Sequence, residues 1–231
     1  METSLHRELK LHYAPDESQT EVSVDGFRID AVSPVGELIE IQHASLGALR
    51  DKTRKLLEGT KHRVRIVKPI IAKKRLTTLD KKDGEVIRSR LSPKRGDLLD
   101  FFEDMVHFST VFPRKRLTLE IVSIESEEIR LDRKVRGWKK KKYKCLDQKL
   151  LEVHDSIELR TKRDLLNLLP LGGLPIPFDT AELAAAMNKP RWFAQKVAYC
   201  LRQTGAAKLD GKRGNSQLYR VPRQRKAKKA A

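Results

Sequence analysis

Residues 26–42, GFRIDAVSPVGELIEIQ, constrain this chain more than any other stretch. Two apolar runs flank Ser33-Pro34-Val35-Gly36, and each run carries one acid, Asp30 and Glu40. Serine first, proline second and glycine fourth suit a type I turn with the glycine in the left-handed region. In a hairpin such a turn gives a three-residue loop, Pro34-Val35-Gly36, with Ser33 facing Glu37. Counting outward sets Asp30 opposite Glu40 and Arg28 opposite Gln42. Ile29, Ala31, Ile39 and Ile41 then share the other face as core. The turn chemistry alone predicts two carboxylates brought face to face.

Carboxylates in apolar strands are costly unless something meets them. Two readings satisfy this pair. A divalent cation can sit between the acids, and all-oxygen ligands suit Mg²⁺ or Mn²⁺, which keep waters and recruit substrate phosphates. Otherwise Arg28 or another basic side chain neutralises them. Charge elsewhere favours the first. Lys and Arg number 49 against 31 Asp and Glu, a net +18, which points to an anionic partner, nucleic acid foremost.

Neighbouring residues extend the site. Gln42 projects from the same side of its strand as Glu40. Glu2, His6 and Lys10 recur every four residues and line one stripe of a first helix over residues 2–14, with Glu8 on the opposite side. Lys52 flanks the Leu46-Leu49-Leu56 stripe of the next helix, close enough to reach back, while Lys55 sits further out.

Further along, TEVSVDGFRIDAV reads as two strands around Asp25-Gly26, and HRVRIVKPIIA as another strand. KRLTTLDKKDGEVIRSR reads as an outer hairpin, GDLLDFFEDMVHFSTVF as an amphipathic helix, and RLTLEIVSIESEEIRL as strand. This is a compact α/β (α+β) core over residues 1–129. Residues 130–160 read as a basic linker. From Arg130 to Lys149 there are ten Lys or Arg against two Asp. Trp138, beside Lys139, Lys140, Lys141 and Lys142, adds an aromatic able to stack on bases. In residues 161–221, TKRDLLNLLPL, FDTAELAAAMN and KPRWFAQKVAYCLRQTG read as three helices, and AAKLDGKRGNSQLYRV as a hairpin. That order resembles a winged helix-turn-helix. Arg191, Gln195, Lys196 and Arg202 would project from its reading helix, with Lys212 and Arg213 on the wing. Residues 222–231 form a basic tail, read as disordered. RSRLSPKRG, residues 88–96, puts Arg88, Arg90, Lys94 and Arg95 ahead of a helix start, a combination that favours phosphate.

Cys145 and Cys200 belong to no CxxC pair, which excludes a four-cysteine zinc site and gives no disulfide framework. No apolar run spans a bilayer and the start lacks a signal-peptide pattern, so the expectation is a cytoplasmic, nucleoid-associated protein with no membrane partner. A homodimer is compatible with everything above.

Asp30, then Glu40-Ile41-Gln42 some ten residues on, preceded by a helix carrying Glu2, His6 and Lys10, resembles the PD-(D/E)xK nuclease superfamily. The closer likeness is to its competence-protein-like branch, over about residues 1–70. The chain also resembles uncharacterised bacterial proteins that join such a domain to a winged helix. The resemblance implies a restriction-endonuclease-like core, a central mixed sheet flanked by helices. It implies that Asp30 and Glu40 hold the metal with Glu2 assisting, and that His6 and Arg28 stand behind them. Gln42 occupies the place of the usual catalytic lysine. Glutamine orients water but carries no charge, so Lys10 or Lys52 would have to supply it. Cleavage of DNA is the implied activity. A regulator that binds DNA or RNA without cutting is the alternative.

Overall fold

The computed structural model describes residues 2–14, 16–59, 61–132 and 143–222. In chain order the elements are α1 (Ser4–Tyr13), β1 (Thr20–Val24), β2 (Phe27–Val32), β3 (Leu38–Ile41) and α2 (Arg50–Gly59). Then come β4 (Val64–Leu79), β5 (Val86–Leu91), α3 (Phe101–Met105), β6 (Leu117–Asp132) and β7 (Tyr143–Leu159). The chain finishes with α4 (Lys162–Asn167), α5 (Thr180–Met187), α6 (Arg191–Gln203), β8 (Lys208–Arg213) and β9 (Ser216–Arg220). Two compact units result: Met1–Phe101 with Arg116–Glu158, and Phe102–Lys115 with Leu159–Ala231.

The first unit is a mixed α/β structure around a seven-stranded sheet ordered β1-β2-β3-β4-β6-β7, with β5 also on β4. β1, β2 and β3 are antiparallel, as short turns require, and β4 runs parallel to both β3 and β6. Residues 64–67 of β4 border β3 and residues 75–79 border β5. The Asp25-Gly26 turn has both residues at positive φ, +48° and +77°, the requirement of a two-residue type I′ hairpin.

Helix α1 covers one sheet face because Leu5 and Leu9, one turn apart, are both fully buried. They pack with Ala31, Ile39, Ile41, Val67, Val122 and Ile124. Each such leucine contributes about 1.5–3 kcal/mol. The helix has no cap from Thr3. Asp147 of β7 caps it instead, accepting from the Ser4 amide (2.9 Å) and hydroxyl (2.6 Å). Helix α2 follows a 3₁₀ turn started by Ser45 and buries Thr53, Leu56 and Leu57.

Two expectations are corrected here. The basic linker expected over 130–160 is largely strand: β6 continues to Asp132, and residues 143–159 form β7 within the sheet. Most of β7 is exposed or half-buried, with Leu150 and Val153 packed against the core. The helix expected over GDLLDFFEDMVHFSTVF shrinks to α3. Beyond it, Phe108 bonds to Met105 and Val111 to Phe108, three-residue spacings that match burial at Phe102, Met105, Phe108 and Val111.

In the second unit α4, α5 and α6 precede the β8–β9 hairpin, and Phe178 bridges to Tyr219 of β9. Leu165, Phe178, Leu183, Phe193, Val197 and Leu201 are buried. Asp179 caps α5 in a capping box with Glu182. Among the described residues, no helix is long and apolar enough to cross a membrane.

Candidate functional site

The hairpin turn forms as its residues dictate. Gly36 has φ +74°, its amide bonds to the Ser33 carbonyl (2.9 Å), and the Glu37 amide to the Ser33 hydroxyl (3.0 Å). Ala31 pairs with Ile39 and Val32 with Leu38. That register continues to Asp30 opposite Glu40.

A third acid joins them. Thr20 pairs with Ala31 and Val22 with Ile29 across β1 and β2, so Glu21 falls opposite Asp30. Glu21, Asp30 and Glu40 thus form a row across three adjacent strands. The sequence reading missed Glu21, although counting outward from Asp25-Gly26 reaches it.

Basic groups come to this row from both helices. From α1, Lys10 is buried and its ammonium reaches Glu2 (2.7 Å), Glu21 and Asp30 (3.7 Å). His6 Nε2 lies 3.5 Å from Asp30 and 3.8 Å from Glu2. The Asp30 carboxylate holds the His6 ring's pKa above the ordinary value. From α2, Lys52 reaches Glu40 (2.5 Å) and donates to the Arg28 carbonyl. Glu40 is 3% exposed, and burial, with Asp30's charge adding, pushes its carboxyl up to about 7 against the pull of Lys52. The remaining oxygen of Asp30 accepts from the Ile41 amide (2.8 Å).

Of these groups His6, Lys10, Glu21 and Asp30, with Glu2, Arg28, Gln42 and His43, line a cleft of about 600 Å³, while the buried Glu40 and its partner Lys52 are not part of that lining. His43 also went unforeseen. Its ring stands 6.0 Å from that of His6, its Nε2 is buried without a hydrogen bond, and burial pushes its pKa down to about 4. A neutral imidazole thus faces the cleft beside the acids.

The expected roles divide. Asp30, Glu40, Lys10, Lys52 and His6 are brought together. Gln42 lines the cleft while its amide donates to Ser45 (3.2 Å). Arg28 does not stand between the acids: its guanidinium pairs with Glu21 and it is largely exposed. Glu2, expected as a third ligand, is turned to Lys10 instead. Among the described residues the three-ligand cluster lies elsewhere, at Glu125, Glu152 and His154, where the Lys73 ammonium already sits on Glu125. The Asp30–Glu40 pair still fits Mg²⁺ or Mn²⁺, ions commonly held by one or two carboxylates plus water.

The expected nucleic-acid contacts are scattered. Arg88 and Arg90 lie exposed on β5, whose residues are all exposed. Lys94 and Arg95 are exposed, but the helical turn after them is capped by Asp97 in a capping box with Asp100. Its first amides are already satisfied, which removes the reason for placing phosphate there. In the second unit Arg213 pairs with Glu182 (2.8 Å) and Asp179 (3.1 Å), Arg191 bonds to Thr180 and Ser216, and Lys196 pairs with Glu103. Gln195, Arg202 and Lys212 are exposed, as are Trp192 and Tyr199 on the same helix. Trp138, Lys139, Lys140, Lys141 and Lys142 lie outside the described residues.

Fold and site define a mixed α/β domain with an acid-and-lysine cleft on a three-stranded antiparallel edge, followed by a small helical unit with a hairpin. The chain belongs to the DUF8091 family, a domain of unknown function, whose model matches residues 3–160. The match ends beside the division between the two units at Glu158. An uncharacterized protein of Treponema pallidum (strain Nichols) is 35% identical over 219 residues, covering 95% of this chain and 85% of the relative. No solved structure matches.

Proposed function

We propose that this chain is a metal-dependent nuclease that hydrolyses phosphodiester bonds, with DNA as its preferred substrate. The reading takes the first unit as a restriction-endonuclease-like core and the second as a winged helix. The observation that carries it is the facing pair Asp30 and Glu40 with the Lys52 ammonium 2.5 Å from Glu40. Lys52 brings from α2 the charge that Gln42 lacks. When bound, Mg²⁺ or Mn²⁺ would orient water and neutralise charge on the phosphate. Asp30 and Glu40 would hold the ion, Lys52 would offset charge on the reacting group, and the neutral His43 could accept a proton. The α4-α5-α6-β8-β9 order, with Gln195, Arg202, Trp192 and Tyr199 exposed on α6, supports the winged-helix reading.

Supercoiled plasmid incubated with Mg²⁺ or Mn²⁺ tests it. Nicking by the wild type that Asp30→Ala/Glu40→Ala abolishes is the expected result. Equal background with both proteins on several DNA and RNA substrates would refute it. A second reading rests on a specific observation: Lys10, Lys52 and His6 already balance the acids without an ion. On that reading the protein binds nucleic acid and regulates, and its salt-sensitive affinity survives loss of both acids.

A further inference from the structure

Next to the acid cleft lies a second cavity, of about 790 Å³. Its lining includes Thr3, Lys82, Lys144, Cys145, Asp147 and Lys149. Thr3 also lines the acid cleft, and Asp147 adjoins Gln148, which lines the cleft too. The two hollows are therefore neighbours along the start of α1. Their charges differ in kind. The cleft carries the acid row, and this cavity carries three exposed lysines that form no ion pair among the described residues. Of its two acids, Asp147 is committed to Ser4, which it caps through both carboxylate oxygens. Lys149 acts on it only at longer range. Uncommitted ammonium groups around a hollow recruit phosphate oxygens and release counterions when they do.

We propose that this lysine-lined cavity seats the phosphodiester backbone of a nucleic-acid strand whose neighbouring segment lies in the acid cleft. The inference rests on the reading of that cleft for the strand's continuation, and it names the flank on which the strand leaves. Lys82 comes from the β4–β5 hairpin, while Lys144 and Lys149 come from the start of β7. A bound strand would thus tie the hairpin arm to the sheet edge beside α1.

Cys145 provides the measurement. It lines the cavity and is exposed, whereas the chain's other cysteine, Cys200, is fully buried. An alkylating dye added to the full chain therefore reports on this cavity alone. The experiment measures the labelling rate in EDTA, with and without a 20-nucleotide single strand or a 20-base-pair duplex. Fluorescence anisotropy of the same oligonucleotides gives affinity. The expected result is slowing of labelling by about tenfold, relieved by salt. Lys144→Glu/Lys149→Glu should lose that protection and flatten the salt dependence of binding by one to two phosphates, about 0.7–0.9 in log–log slope for each. Unchanged labelling under saturating oligonucleotide would overturn the inference, as would equal protection in the double variant. So would equal protection by inorganic tripolyphosphate at matched phosphate concentration. Asp30→Asn separates this inference from the activity. Protection without cleavage by the wild type would leave the cavity standing and the nuclease reading lost. Cleavage without protection would do the reverse.

Discussion

Replacing Glu40 by glutamine probes the deepest feature of the site, a carboxyl whose pKa burial raises from 4.5 to about 7. In the unfolded chain the same carboxyl titrates near 4.3. Between these values the folded protein holds a proton that the unfolded chain has released, so folding takes up a proton and stability falls as pH rises. The contribution is fully present below about pH 4 and lost once pH has passed 7. At about 1.4 kcal/mol for each pH unit, a gap near 2.5 corresponds to about 3.5 kcal/mol in full, of which about 3 falls within the range above pH 4.5. Glutamine approximates the protonated carboxyl at every pH. Urea unfolding of both proteins at intervals from pH 4.5 to 8.5 should give a wild-type stability that drops by up to about 3 kcal/mol relative to Glu40→Gln, most steeply between pH 5 and 7. The slope decides, because glutamine also leaves Lys52 without its carboxylate and so shifts the whole curve. Parallel curves would refute the burial argument. If the acid pair takes a divalent ion, Mn²⁺ at pH 8 should restore the wild type's lost stability, by about 2.7 kcal/mol at a hundred times its Kd, and leave the variant unmoved.

Three further outcomes follow from the same structure. Lys52→Met strips the buried Glu40 of its ammonium and should cost about 3–5 kcal/mol at pH 8 but much less at pH 5, by thermal unfolding at the two pH values. Arg65→Met leaves Glu37, Glu120 and Glu158, which lie 2.7, 2.5 and 2.6 Å from its guanidinium, without their cation. A loss of about 3–5 kcal/mol at neutral pH, relieved by acid, is expected from denaturant titration. Asp179→Ala removes the cap that bonds the Ala181 and Glu182 amides and leaves Arg213 paired with Glu182 alone. It should lower the second unit's stability by about 1 kcal/mol, read by hydrogen exchange in α5.

How far the sequence disclosed this arrangement differs from element to element. The Asp30–Glu40 register was readable because Ser33, Pro34 and Gly36 admit few turn geometries, and one turn fixes every pair outward from it. Lys10 and Lys52 were readable as helix positions, since a four-residue spacing or a flank beside a leucine stripe needs no tertiary information. Glu21 was equally accessible through Asp25-Gly26, but single acids in β1 carry no mark of importance until the two hairpins are counted together. His43 was not accessible, because nothing in the order of residues says that a ring just past a strand will be buried beside His6. Strand β7 escaped for a related reason. Leu150 and Val153 of it pack on the cluster beneath α1 and Leu159 is buried at its end, spacings of three and six that show no sustained period of two. The same holds for Arg213, whose partners Asp179 and Glu182 lie some thirty residues upstream.

The charge balance of the cleft separates the two functional readings. Four carboxylates, from Glu2, Glu21, Asp30 and Glu40, meet Lys10, Lys52, Arg28 and a His6 whose pKa is raised. Near neutral pH that set is close to balanced, so an added divalent ion makes the cleft positive unless an anion enters with it. A phosphodiester supplies that anion. Metal and nucleic acid should therefore bind with mutual enhancement, each neutralising the charge the other brings, and by linkage the enhancement is equal in both directions. A protein that only holds nucleic acid has no such coupling, because the lysines already complete its site and the ion merely competes with them for Glu40. Anisotropy titrations of an oligonucleotide with a non-hydrolysable phosphorothioate backbone, at fixed ionic strength with and without Mn²⁺, distinguish the cases. Affinity several-fold higher with Mn²⁺, and unchanged in Asp30→Asn/Glu40→Gln, favours the metal-dependent nuclease. Affinity that Mn²⁺ leaves alone or weakens in both proteins returns the acids to a structural role.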